Sequence, residues 1–573
     1  MFSLSLRFAA LPGPALLAAA SALLAAGCAS VPPDPAATLE APRVYYAITA
    51  EIALARHEPR TAALQYTAAA IADSDASVLA RACEVTLESL QPSLTAKVAA
   101  RWVSLYPNTL EAHRAAARAA LELHQIERAA SEYTIVLKSS PRGVDAELLE
   151  LAGVLEAADD MYAARQVAER LAARFPSSAP ALELAGLTAL RAEDPAAAVQ
   201  RLGAALALSE HETSLQGDAR RAIVQSLWRA RVLAGDVAVP LNESRELVER
   251  EPTLANQLDY VLLLVAAQQS GAAIEALEQL ASDPEAKPVA LRLLGLLEFQ
   301  DGKLDAAAAR FTQLLTLGKS VDDAFYYLGL IAERRGEFDH ALRLYAQVQE
   351  GDDAVSALLR AGGILRAHGE PAEAEELLQH LLEDEPQRAP QIFTARARIL
   401  SDAGDPGAAL ALLDRGALQY PDSVDIRYAI ATTYEEQGHV GAALRELKDI
   451  LQSRPDDPAA MNAYGYTLAD HHRELKRARA LIERAHSSAP KNAAILDSLG
   501  WVLFRQGESA EALPHLSTAF ADDRSADIGA HLGEVLWTLG RHAEADKVWD
   551  QAAQAEPENR LLRDTRRRLQ PSP

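Results

Sequence analysis

A recurring beat constrains this chain more than any other feature. In "DSLGWVLFRQGESAEALPHLSTAF" (residues 497–520), Gly500, Gly507, Ala512 and Ala519 punctuate large apolar residues, and Gly533, Gly540, Ala545 and Ala552 fill the same slots one period later. Upstream the second glycine recurs as Gly302, Gly336, Gly369, Gly404 and Gly438. Prolines keep the same time at Pro386, Pro421, Pro455 and Pro490, and near the front at Pro107, Pro141 and Pro176. Two glycines within one helix would cost roughly 1 kcal/mol each relative to alanine. A fixed period of about 34 residues is the mark of stacked helical hairpins, each unit solving one packing problem in the same way.

The residue types explain themselves within such a unit. A first helix carries a small residue midway (Gly295, Gly329, Gly362, Gly500, Gly533) where its partner crosses closely. A glycine ends that helix because only glycine takes the left-handed cap cheaply. The second helix places alanines against its neighbours (Ala341, Ala374, Ala519, Ala552), and a proline closes the unit because it cannot continue a helix interior. These slots agree in phase over at least eight repeats, so the chain resembles a tetratricopeptide repeat (TPR) protein. The resemblance implies an all-α TPR solenoid of helix-turn-helix repeats forming a right-handed superhelix.

At 573 residues the chain exceeds what one compact core serves, and a solenoid avoids that limit by adding repeats. The net charge of −24 argues against a polyanion, so no nucleic acid partner is expected. No nucleophile elbow, zinc-protease helix or phosphate-binding glycine loop occurs, so no catalytic residue, cofactor or small-molecule substrate is expected. Cys83, inside "LARACEVTLESL", reads as a small buried hydrophobe. The adjacent His471 and His472 sit in a glycine-free turn without further ligands at fixed spacing, so a solvated turn is expected and no metal.

Residues 1–27 follow a signal-peptide pattern, with Arg7 ahead of an apolar run that "LPGP" breaks short of a membrane span. "LLAAGC" resembles a bacterial lipobox with Cys28 as the lipidated residue, although Leu24 lies one place earlier than the usual leucine and Ala25 takes its slot. Cleavage after Ala29 of an ordinary signal peptide is the alternative. Ala29 in place of aspartate implies, by that resemblance, an outer-membrane anchor facing the periplasm. Residues 28–42 then read as a tether, 43–210 as a first TPR-like array, and 211–255 as an irregular helical connection. Residues 256–559 read as a second, more regular array, and 560–573 as a basic capping end.

In TPR proteins the first helix of each repeat lines the concave face. Carried over, that face presents Tyr326, Tyr428, Asn462, Tyr466, Asp497, Trp501, Phe504 and Trp537, rigid aromatics beside polar groups as protein recognition favours. Packing of Trp501 and Trp537 between helices is the competing reading. Arg292, Arg398 and Arg505 read as isolated cations, which does not match the clamp that some TPR cochaperones use on C-terminal carboxylates.

The text "NAYGYTLADHHRELKRARALIERAHSSAPKNAAILDSLGWVLFRQGESAEAL", with "AEIALARHEPRTAALQYTAAA" and "RWVSLYPNTLEAHRAAA" near the front, resembles large proteobacterial outer-membrane TPR lipoproteins. That family includes the lipoprotein adaptor of a periplasmic carboxyl-terminal processing protease. The resemblance implies a membrane-anchored scaffold whose partners are such a protease and its cell-wall hydrolase substrates. A lipoprotein assembly factor for pili, secretins or outer-membrane β-barrels is the alternative.

Overall fold

The computed structural model describes residues 37–209, 217–349, 352–556 and 559–570. Cys28 and the signal segment lie outside the described residues. Thirty-one α-helices and no strand occur among them, pairing in order into helical hairpins that stack from α1 (Ala37–Ala55) to a single terminal helix, α31 (Arg560–Leu569). Helix α1 begins inside the segment expected as a tether (28–42). No described helix is long and apolar enough to cross a membrane.

One hairpin illustrates how the sequence builds the rest. Helix α27 (Ala493–Arg505) is capped by Asn492, whose Oδ1 accepts from the Ile495 amide at 3.1 Å. It ends at Gly507, which is left-handed at φ +90°, and α28 (Ser509–Asp522) turns back against it. At the crossing, a Cβ on Gly500 would lie 2.5 Å from Leu516 Cγ. The same relation joins Gly295 to Phe311, Gly329 to Tyr345, Gly362 to Leu378 and Gly533 to Trp549. Each central glycine is therefore the floor of a socket for a large side chain one helix later. Prolines 386, 421, 455 and 490 fall just past the ends of second helices.

The core accordingly runs as a chain of local clusters rather than one centre. Helix α31 closes the far end, burying Leu562 and pairing Arg568 with Glu534 at 2.6 Å. Within 211–255, α11 (Asp218–Leu233) and α12 (Ala238–Arg250) are joined by Trp228 Nε1 donating to Glu243 at 2.7 Å.

The solenoid also returns upon itself. Asp422 accepts from the Ser93 amide at 3.0 Å and from its hydroxyl at 2.7 Å, placing a carboxylate at the N-terminus of α4 (Pro92–Leu105). Gln91 donates to the Gln419 carbonyl at 2.7 Å. Asp160 accepts from His124 at 2.7 Å and pairs with Arg454 at 2.9 Å, all three side chains being largely buried. Asn492 reaches Glu193 at 3.3 Å, and Lys491 reaches the Leu233 carbonyl at 3.0 Å. These contacts form a seam between the first array, with the start of the connection after it, and the middle of the second.

Candidate functional site

The first array presents an open groove of about 680 Å³. Its walls are first helices of successive repeats, α3 (Ala76–Glu88), α5 (Leu110–Glu122) and α7 (Val144–Glu156), with Trp102, Tyr133 and Leu137 contributed by the second helices between them. Cys83, Leu87, Trp102, Tyr133, Leu137 and Leu151 make it apolar. Alanine dominates the buried positions of α5, which lets the helices pack closely, while Glu111, Arg114, Ala115 and Arg118 are the α5 residues that line the groove. Cys83 is buried as expected, and burial pushes its thiol up to about 12, so it is packing rather than a reactive group. The rim is charged but internally paired. Arg114 holds Glu147 through two bonds of 3.0 and 2.9 Å. Burial opposes ionisation of Glu147, yet Arg114 and the Ser140 hydroxyl keep its carboxyl below the ordinary range.

At its far end the groove opens into a second cavity of about 740 Å³ along the seam. Leu87, Arg118, Glu150 and Val154 line both. Seven carboxylates and two guanidinium groups line this second cavity. Glu122 and Asp159 come from the first array, while Asp422, Asp425 and Arg454 come from the second. Burial raises the Glu122 carboxyl above the ordinary range, with Arg118 pulling against it and Asp159 and Asp422 adding to it. The enclosing walls and Asp159 raise Asp425 likewise, with Arg454 opposing.

The residues expected to form a groove in the second array sit differently. Trp501 is only 4% exposed, stacks on His531 at 4.0 Å between ring centres and donates to Asp470 at 3.1 Å. Asp497 is buried beneath, accepting from His531 at 2.9 Å. Burial works against charge on His531, but Asp497 outweighs it and raises the imidazole above its ordinary value. Tyr466 lies 5.9 Å from the same imidazole, and Phe504 lies 5.3 Å from Trp501. The structure thus brings Tyr466, Asp497, Trp501 and Phe504 together around His531 as packing between repeats. Trp537 is half-buried, 4.1 Å from His542 and 5.7 Å from Trp549. Tyr326 packs among Tyr327 and Tyr345, away from that group. Tyr428 and Asn462, also half-buried, carry buried polar atoms without partners among the described residues.

Two further expectations are revised. Arg292 is paired with Asp323 at 2.5 Å, and Arg505 donates to the Asp470 carbonyl while lying 5.1 Å from the Trp501 ring, so neither is an isolated cation. Arg398 reaches Asp402 at 3.8 Å. His471 lies 3.6 Å from Glu435, and no group of three potential metal ligands occurs among the described residues.

Tetratricopeptide repeat family models agree with the architecture. One tetratricopeptide repeat family model matches residues 332–399 and 400–464, and another matches 114–179, 258–320, 293–354 and 498–560. TPR repeat-containing protein PA4667 of Pseudomonas aeruginosa is 35% identical over 214 residues, covering 37% of this chain and 36% of that protein. Cellulose synthase 2 operon protein C of Komagataeibacter xylinus is 27% identical over 243 residues, covering 41% of this chain and 18% of that protein. The chain thus spans only about a third or less of the length of these relatives. Among solved structures, the thermophilic TPR protein TTC0263 of Thermus thermophilus aligns with a TM-score of 0.29 and 24% identity, covering 32% of this chain and 98% of that one. A tetratricopeptide repeat protein from Parabacteroides merdae aligns with a TM-score of 0.33 and 14% identity, covering 43% and 96%.

Proposed function

Because this chain belongs to the tetratricopeptide repeat family, scaffolds for protein–protein interaction, we propose that it is a lipid-anchored periplasmic adaptor that brings protein substrates to a carboxyl-terminal processing protease. The observation that carries the binding role is the first-array groove, apolar within and bounded by charges that already satisfy one another. Such a surface offers apolar burial without leaving a charge unpaired when a partner covers it. The adaptor role rests on the family resemblance of the sequence, and the similarity to PA4667 over part of the chain bears only on the repeat architecture. In this reading the repeats perform no chemistry. They hold protease and substrate at a raised effective concentration, and Cys28 ties the assembly to the outer membrane.

A second reading, which rests on the same resemblance, is a lipoprotein assembly factor for pili, secretins or outer-membrane β-barrels; cellulose synthase 2 operon protein C, similar over part of the chain, is named only for its operon. Affinity capture of the intact lipoprotein from envelope extracts separates the two. A soluble processing protease, with cell-wall hydrolases accumulating when the gene is deleted, supports the adaptor. Recovery of barrel, pilus or secretin subunits alone replaces it. A Cys28→Ala variant that stays in the membrane fraction would remove the anchor from the reading.

A further inference from the structure

The groove and the seam cavity form one trough with two chemistries. Leu87 and Val154 stand at the junction, with the apolar floor around Trp102 and Tyr133 on one side and the carboxylates of both arrays on the other. At the apolar end the charges pair among the described residues, Arg114 with Glu147, Arg81 with Glu84 and Glu150 with Arg142, so neither sign is favoured there. The seam end does select. Of its two guanidinium groups, Arg454 is committed to Asp160 at 2.9 Å and Arg118 to Glu122 at 3.2 Å, while Asp159 faces Asp422 and Asp425 across the cavity. Like charges gathered in a walled cavity favour any cation that enters.

We propose that this trough binds a polypeptide segment in which an apolar run is followed by lysine or arginine residues, the run lying over Trp102 and Tyr133 and the cations entering the seam beside Glu122 and Asp425. The assignment rests on the protein-binding reading and adds to it the class of sequence recognised. Charge complementarity sets the direction of the bound segment, since only one end of the trough is acidic. Because one wall of the acidic end belongs to the second array, the site is complete only when the seam is closed.

The test uses the full chain and labelled synthetic peptides read by fluorescence anisotropy. One peptide carries a leucine- and valine-rich run followed by lysines, a second replaces the lysines with glutamates, and a third has a neutral polar tail. The lysine peptide is expected to bind at least about tenfold more tightly than the glutamate peptide at low salt, since one favourable charge contact of about 1.4 kcal/mol is a factor of ten. The difference shrinks as salt rises. Glu122→Gln with Asp425→Asn should weaken the lysine peptide about tenfold and leave the neutral peptide unchanged. Both amides are isosteric with the carboxyls they replace, and although Glu122→Gln also loses the ion pair to Arg118, an unchanged melting curve verifies that the fold is preserved. Val154→Glu should weaken all three peptides. Equal affinity for the lysine and glutamate peptides, or no response to the paired amide substitutions, overturns the assignment. The adaptor reading stands or falls separately, by whether envelope capture recovers a protease.

Discussion

The two arrays solve the same turn in different ways, and the difference marks where the molecule is joined. In the second array the left-handed residue between the two helices of a hairpin is glycine at positions 302, 336, 369, 404, 438, 507 and 540, where it costs little, with Gln268, His472 and Glu474 as exceptions. In the first array His57, Leu90, His124 and Glu193 hold the left-handed conformation instead, at roughly 1–2 kcal/mol each. Three of these four face the seam. Leu90 packs against the cluster around Tyr420 and Ile426, His124 bonds to the Asp160 that pairs with Arg454, and Glu193 accepts from Asn492. Backbone strain is retained where a side chain at the turn has something to hold.

The sharpest test concerns the glycine sockets. Gly533→Ala places a Cβ 2.0 Å from Trp549 Nε1, a fully buried side chain with nowhere to move. A loss of about 3 kcal/mol or more is expected, read as a large drop in the denaturation midpoint with early amide exchange in the last repeats. Next comes the turn itself. Gly438→Ala should cost about 1–2 kcal/mol, from backbone strain alone. The same argument run backwards predicts a gain for His124→Gly, but removing its bond to Asp160 should cancel that gain. A measured stabilisation of more than about 1 kcal/mol for His124→Gly would mean that the histidine does not serve the seam.

Seam contacts should also show in shape. Asp422→Ala removes both bonds to Ser93, and small-angle scattering should report a larger radius of gyration while helical content is unchanged. An identical scattering curve would mean that the remaining contacts hold the seam without it.

Each array carries one titratable group whose behaviour sharpens the contrast. In the first, burial and the neighbouring Glu156 push Glu183 up to about 7 from 4.5. The folded state then holds that proton more tightly than the unfolded chain, so stability falls as pH rises between those values. Glu183→Gln should remove this slope and raise the melting temperature at pH 8. His531 also has a raised value, so its contribution is full below 6.5 and is lost as pH rises through the raised value. His531→Asn should therefore lower the melting temperature at pH 6 and change it less at pH 9. The smallest expected effect is Gly153→Ala in α7, where a Cβ meets nothing within 4 Å. That substitution should stabilise by about 0.5–1 kcal/mol through helix propensity.

The same contrast explains what could be read in advance. Repeat phase, turn glycines and central glycines were legible because one local problem recurs every hairpin, and each instance reinforces the others. The first array's turns were faint because Leu90, His124 and Glu193 stand where glycine would have marked them. A turn slot lacking its glycine was the available signal for the seam, and it was not used as one. The seam itself joins residues 329 apart, such as Ser93 and Asp422, and such pairing leaves no periodic trace. The aromatic run at Tyr466, Trp501 and Phe504 was misleading for a physical reason. Helical spacing places a side chain on the inner face but does not say whether the next repeat covers it, and His531 with Asp497 covers this one.

An open spring can lengthen at one end without the other end responding. Here Asp422 fastens one end to a coil several repeats away, so pitch is no longer free to vary. A partner that winds or unwinds the intervening repeats must move the two walls of the seam cavity relative to each other. Curvature along that arc is thereby tied to the width of a single slot, which makes the fastened coil a frame.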